Sequence, residues 1–236
     1  MSQIYVYGKQ WPLPSNPAFD SFLEPHRTAV ISIDMHEGHL SEAPDCPCPA
    51  PRAREIVEPI DRFHDECRAR KIPIIHVRTV LRASRRDDVK GGVSAWRLVF
   101  PLYVGDIPGA DEHAIAGSKW TALRTRIEPG DELIETKKRL SIFYPTDLDF
   151  LLRNMRVKAV VLNGGFTDCC VLNAAFDASN HDYRVVVARD LVRGTNDEME
   201  QAALKMMSLH MALVMDSADI LSAWDARGAK RAAAAE

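Results

Sequence analysis

Residues 158–179 read KAVVLNGGFTDCCVLNAAFDAS, and their order decides the fold. A Val-rich apolar run (158–164) closes on glycine, passes through Gly-Phe-Thr-Asp-Cys-Cys, and resumes as an Ala-rich helical stretch over 171–179. A run without polar alternation is expected of a strand covered on both faces, and a strand feeding a helix is half of a βαβ unit. Outward from this stretch the pattern repeats. Further short apolar runs occur at 28–34 (TAVISID), 72–77 (IPIIHV), 132–136 (ELIET), 184–189 (RVVVAR) and 212–215 (ALVM). Helical stretches are predicted over 52–71, 146–153 and 196–209. In the first, Ile56, Ile60, Phe63 and Cys67 share a face; the last opens on Asn196 as its cap. The expectation is an α/β chain: one domain of three layers, αβα, with a mostly parallel six-stranded sheet joined by right-handed crossovers.

Residues 1–26 carry Pro12, Pro14, Pro17 and Pro25 without periodicity and are expected to form an arm, leaving 27–236 as the domain. One segment within it breaks the rhythm. Residues 81–129 are long and rich in Gly and Pro, open with Arg82, Arg85 and Arg86, and contain Trp96, Phe100 and Trp120. Such insertions are solvated loops, lids or oligomer contacts; a lid or oligomer contact is the expectation here.

Composition narrows the function. With 236 residues and 46% apolar content the chain can bury a sizeable core. A formal net charge of −3 gives no reason to expect nucleic acid or a membrane surface as partner. No run approaches the roughly 20 apolar residues that span a bilayer, and the N-terminus has no signal-like pattern. Five cysteines argue against a disulfide framework, and a cytoplasmic location is expected.

Open parallel sheets bind ligands beyond the carboxyl ends of their strands. Three residues fall there. Cys170 follows the 158–164 run and heads a helical stretch, whose N-terminal dipole favours thiolate; a small buried core thiol is the competing reading. Asp34 ends the 28–34 run, where a carboxylate is costly unless paired and is placed to act as a general base; a loop cap is the alternative. Lys137 ends the 132–136 run and can stabilise thiolate and carboxylate alike, although Lys137, Lys138 and Arg139 also read as a solvated basic run.

Taken together, Ile-Ser-Ile-Asp34, Lys137-x-x-x-Ser141-Ile-Phe143-x-x-Thr146-Asp-Leu148 and Gly164-x-x-Thr167-Asp168-x-Cys170-Val171-x-x-Ala174 resemble the isochorismatase-like cysteine hydrolases. These include nicotinamidases, N-carbamoylsarcosine amidohydrolase, and ureidoacrylate and biuret hydrolases. The resemblance runs from about Arg27 to Ala223. It implies a Rossmann-type fold, a catalytic triad of Asp34, Lys137 and Cys170, and a cis peptide at Gly165–Phe166 that aims the Phe166 and Cys170 backbone N–H groups at an oxyanion. Phe166 departs from the smaller residues usual there and is expected to narrow the pocket.

The resemblance further implies an amidohydrolase cleaving a C–N bond of a small amide, ureido or hydrazide substrate through a cysteine thioester. Vinyl-ether hydrolysis of the isochorismatase type ranks below it, because within the family that activity goes without the cysteine. A non-catalytic binding module on the same fold is the other alternative. Substrate-binding candidates are His36, Trp96, Arg82 and Phe166, with Arg82, Arg85 and Arg86 suited to a carboxylate. No cofactor is expected, and no metal: His36 and His39 lie close together, but His76 and His113 lack the Asp-x-His pattern through which nicotinamidases hold their ion. Cys169, Cys46 and Cys48 read as packing or loop residues, and Asp190 carries no catalytic role. A small-molecule substrate and a homodimer or homotetramer complete the expectation.

Overall fold

The computed structural model describes residues 2–88 and 93–233; residues 89–92 of the 81–129 segment and 234–236 of the expected domain lie outside the described residues. In chain order the strands and helices are β1 (Gln3–Val6), β2 (Lys9–Pro12), α1 (Pro17–Asp20), β3 (Thr28–Ile33), α2 (Glu37–Leu40), α3 (Val57–Ala69), β4 (Ile74–Thr79) and α4 (Ala95–Val104). They continue with β5 (Glu132–Lys137), α5 (Leu148–Asn154), β6 (Ala159–Gly165), α6 (Leu172–Asn180), β7 (Arg184–Arg193), α7 (Asp197–His210), β8 (Ala212–Met215) and α8 (Ser217–Ala233).

The sheet runs β2-β1-β8-β7-β6-β3-β4-β5, with β8 through β5 parallel. It therefore has eight strands rather than the expected six. The extra pair comes from the N-terminal segment, which is not an arm alone: β1 and β2 form a hairpin whose β1 pairs antiparallel with β8. Its two-residue turn, Tyr7-Gly8, has positive φ at both positions (52° and 77°), the twist that a tight hairpin requires.

Residues of β3 alternate between two cores because helices cover both faces. Ala29, Ile31 and Ile33 pack with α5, α6 and α7, while Val30 packs with α3 and α8. Burying each Val or Ile stabilises by roughly 1.5–3 kcal/mol, so the central strands anchor the fold. Helix α8, absent from the sequence reading, buries Ile220, Ala223 and Trp224, with Trp224 stacked on Phe63 of α3. The expected helix over 52–71 divides into a 3-10 turn at Pro51–Ile56 and α3. Asn196 caps α7 as expected, its side chain accepting from Met199 N.

From β3 the chain steps outward through β4 and β5, then returns to place β6 on the other side of β3. The strand order thus reverses between β3 and β6, which opens a crevice beyond their carboxyl ends. The 81–129 segment closes over that crevice. It holds α4, is braced internally by Leu81 N–H to Ala114 O (2.7 Å), and is tied to the domain by Glu37 N–H to Ala122 O (2.8 Å) and Arg124 N–H to Met35 O (2.9 Å).

Candidate active site

Three strand ends build the floor of the crevice. Asp34 leaves β3 with φ 53° and is 1% exposed. Thr79 ends β4, and Lys137 ends β5 beside it. Between Val77↔Ile134 and Thr79↔Lys137 the register shifts, with β5 spending three residues where β4 spends two. A one-residue bulge reverses which face a side chain meets, and here it aligns Lys137 with Thr79. Cys170 arrives from β6 through a π-type turn at Thr167–Val171. Gly164, at φ 113°, allows that approach: a Cβ there would lie 2.2 Å from Ile33 O.

The ammonium of Lys137 uses all three of its donor directions. It donates to Asp34 Oδ2 at 2.7 Å and to Thr79 Oγ1 at 2.7 Å, and lies 3.5 Å from Cys170 Sγ. Thr79 in turn donates its N–H (2.9 Å) and hydroxyl (3.1 Å) to Asp34 Oδ1. Burial pushes the Asp34 carboxyl up, but the Lys137 ammonium, aided by His36 and His39, holds it well below the usual carboxylate range. Burial pulls Lys137 down, and Asp34 and Cys170 outweigh it and raise it. Cys170 is held well above the ordinary thiol value by the neighbouring Cys169 sulfur and by burial, with Lys137 pulling the other way. Burial and the adjacent sulfur thus work against the thiolate that the helix dipole and Lys137 favour, in a cysteine that sits beside an ion pair.

Asp168 also lines the cavity, but its carboxylate is engaged by the neighbouring loop. Its carboxylate accepts from Thr195 N–H (2.7 Å) and Thr195 Oγ1 (2.8 Å), clamping the cysteine turn to the loop after β7. Above the floor lies a cavity of about 530 Å³. Trp96 and Phe100 of α4 wall it, with Leu81, Phe166 and Cys48. The Gly165–Phe166 peptide is cis. Beside Asp34, three imidazoles converge. His36, His39 and His113 are buried with ring centroids 4.4–5.9 Å apart. Burial lowers all three basicities, bringing His36 down to about 3 and His113 well below its ordinary value.

The Isochorismatase domain model matches residues 28–219. The chain belongs to the isochorismatase family. Among relatives, the N-carbamoylsarcosine amidase of an Arthrobacter species is 25% identical over 71% of this chain and 60% of its own length. The chain thus matches less than two thirds of that protein. The maleamate amidohydrolase of Pseudomonas putida is 27% identical over 75% of this chain and 78% of its own. A cysteine hydrolase structure from Pseudomonas syringae pv. phaseolicola 1448A is 20% identical, covers 92% of this chain and 99% of its own, and superposes with a TM-score of 0.75, a likeness of fold.

In this isochorismatase-family chain the structure brings together Asp34, Lys137 and Cys170, and puts Trp96 and Phe166 on the cavity wall. His36 lies behind that wall, fully buried, with its ring 3.8 Å from Asp34 Oδ1. Arg82 is not brought to the site. Its side chain is 72% exposed beside Asp87 and is not among the cavity-lining residues; Arg85 is likewise exposed and pairs with Glu112. The strand β4 ends at Thr79 before these arginines, and the chain there turns outward, so proximity in sequence did not become proximity in space. The basic side chains on the cavity are Lys137, Lys138, Arg97 and Arg139. Thr79 was missed by the sequence reading, although a hydroxyl closing the apolar run IIHVRT was its signal. His113 was missed as a neighbour of His36 because 77 residues separate them. All five cysteines are free, and Asp190 serves α8, accepting from Ser217 N–H and Oγ. Among the described residues no helix is long and apolar enough to cross a membrane.

Proposed function

We propose that this protein is a cysteine-dependent amidohydrolase that cleaves a C–N bond of a small amide, ureido or hydrazide substrate. The observation that carries the reading is the position of the Lys137 ammonium between Asp34 Oδ2 and Cys170 Sγ, on the floor of a closed-over cavity. Proton transfer from Cys170 to Asp34 moves a negative charge from one side of that ammonium to the other. The net charge of the dry cluster stays constant, so the transfer avoids the large desolvation cost of creating a new buried ion. The thiolate then attacks the carbonyl carbon, and the oxygen takes the negative charge against the Phe166 and Cys170 backbone N–H groups. Collapse breaks the C–N bond, and the leaving nitrogen takes the proton from Asp34. Water, deprotonated by Asp34, cleaves the thioester and restores the thiol.

The cavity volume suits a ligand of modest size. The exposed apolar side of α4, with Leu98, Val99, Leu102 and Tyr103, supports a homodimer or homotetramer, checked by light scattering. A small-molecule substrate and a cytoplasmic location belong to the same reading, with neither nucleic acid nor membrane as partner.

The test is an ammonia-release screen over carboxamides, ureido acids and hydrazides, with Cys170→Ser alongside. Turnover by the wild type that the variant lacks is expected, together with thiol labelling of Cys170 that substrate blocks. Equal turnover by both proteins would overturn the mechanism, and a Cys170 that no substrate protects would overturn the enzyme.

A further inference from the structure

His36 sits two residues beyond Asp34, His39 on α2, and His113 in the segment that closes the crevice. One ring nitrogen of each lies within 4.8 Å of the others. The other nitrogens explain the arrangement. His36 Nδ1 is 2.9 Å from Trp120 O, and His39 Nδ1 is 2.8 Å from Cys48 O. A carbonyl oxygen facing a bare nitrogen at this distance would be repulsive, so Nδ1 carries the proton in His39 and its Nε2 lone pair is left free. At His36 the same Nδ1 also meets the Gly38 N–H, 3.1 Å away, so two backbone groups share it. His36 Nε2 and His113 Nε2 are buried without a protein partner. Donation of one ring N–H to a backbone carbonyl is how metal-bound histidines are oriented and made more basic. Gly38 permits the packing, because a Cβ there would come within 3.0 Å of the His36 ring and 3.1 Å of Trp120 O.

Three buried imidazoles converge here, and the Nε2 atoms of two of them have no hydrogen-bond partner in the protein. We propose that His36, His39 and His113 form a three-nitrogen site for a divalent transition-metal ion of the zinc type, with its open coordination position facing the catalytic cavity. Imidazole selects such ions over magnesium or calcium. At metal–nitrogen distances of roughly 2.0–2.1 Å a tetrahedral site brings its nitrogens to roughly 3.4 Å, so no pair has to close by more than about 1.4 Å on binding. Rotation of the rings about Cβ supplies such a movement. Three protein ligands leave a fourth position for water or substrate. His39 and His113 both line the cavity that holds Cys170, so that position lies on the substrate's side. The set differs from the Asp-x-His pattern: two ligands follow the catalytic aspartate itself, and the third rides on the closing segment. An ion here ties that segment to the floor, and it selects substrates that carry a lone-pair donor beside the scissile carbonyl. The site stands on its own geometry; the role of its open position rests on the proposed hydrolase.

The experiment strips the purified protein with a chelator and titrates it with Co²⁺, read by visible ligand-field absorption, and with Zn²⁺, read by calorimetry. About one equivalent is expected to bind with the intense bands of a four-coordinate site. His39→Ala and His113→Ala are each expected to weaken binding by more than about 100-fold, beyond what loss of an outer-shell partner costs. His113→Gln, checked by circular dichroism, serves if the alanine variant is unfolded. Cys170→Ala is expected to bind metal as the wild type does. Absence of saturable uptake by the wild-type apoprotein would overturn the site, as would undiminished binding by folded His39 and His113 variants. Loss of binding in Cys170→Ala would also overturn it, by assigning the ion to the thiol. Metal bound without hydrolysis would sink the enzymatic reading and leave the site standing.

Discussion

Ser32 and Asp34 are two residues apart on one strand and its end, yet they belong to buried polar clusters of different kinds. Ser32 stands in register with His76 on β4 and Asn163 on β6, and His64 of α3 packs against them, its Nε2 3.3 Å from Asn163 Nδ2. This mid-sheet cluster is built of hydroxyl, amide and imidazole groups and meets a charge at its rim, where His76 Nε2 lies 3.4 Å from the Asp131 carboxylate; Ser32 Oγ, His64 Nδ1, His76 Nδ1 and Asn163 Oδ1 have no protein partner. At the strand ends the pattern inverts. Asp34 and Lys137 are charged, and the carboxylate oxygens and the ammonium are all engaged. Uncharged polar atoms can be left under-bonded in a core at a cost of about 1–3 kcal/mol each, whereas an unpaired buried ion costs far more. Polarity alone therefore does not mark the candidate active site; fully paired charge beside a cavity does.

The sharpest way to break this comparison is to remove the sulfur. Cys170→Ala is expected to lower kcat by more than about 10⁴-fold. Its unfolding free energy should change by no more than about 1–2 kcal/mol, because a small side chain is replaced by a slightly smaller one. Parallel assays of ammonia release and urea unfolding check both halves, and residual turnover near wild type would move the chemistry elsewhere.

Next comes Lys137→Met, which strands the Asp34 carboxylate. A loss of about 3–5 kcal/mol of stability near neutral pH is expected, measured by chemical denaturation. The wild-type pair has a definite pH window. Asp34 is depressed in the folded state, so its contribution is complete above the ordinary carboxylate value of about 4 and disappears as pH falls through the lower folded value. Lys137 is raised, so its contribution is complete below about 10.4 and disappears only as pH rises through the higher folded value. In Lys137→Met the acid-side dependence should move upward, since an unpaired buried carboxyl protonates more readily.

The mid-sheet cluster answers to acid differently. Burial and the neighbouring His76 bring His64 down to about 3, and burial lowers His76. Protonation of either favours the unfolded chain, so stability falls as pH drops below the ordinary histidine value of about 6.5. For His64 the loss continues to about pH 3. At about 1.4 kcal/mol per unit of pKa difference, the share of His64 amounts to a few kcal/mol. His64→Gln should flatten this slope while leaving turnover near pH 7 in place; an unchanged slope would show that His64 is not held neutral.

The smallest effect is expected at Arg82. Exposed and paired with Asp87, it should tolerate replacement by alanine with kcat/KM altered by less than about 2-fold and stability by less than about 0.5 kcal/mol. A large rise in KM would return it to the substrate site.

The runs 28–34, 132–136 and 158–164 carried the fold and the proposed triad in the sequence itself. Runs of Val and Ile fix β3 and β6 as strands covered on both faces, whereas β5, from ELIET, is a partly exposed edge strand whose end the parallel order carries to the same rim. The β1–β2 hairpin and α8 were not legible in the same way. The hairpin is held by a Tyr-Gly turn and by docking on β8, and α8 by a single apolar stripe around Trp224, so neither shows the long periodic run that sequence reading depends on. What the tertiary structure alone decided lies around the proposed triad: the bulge that turns Lys137 toward Thr79, the Cys169 sulfur and the burial that raise Cys170, the outward path of Arg82, and the meeting of His113 with His36 and His39. Each depends on where a loop or a register shift places a side chain in three dimensions. Hydrophobic periodicity reports which face of an element is buried, and says nothing about what lies across the gap from it.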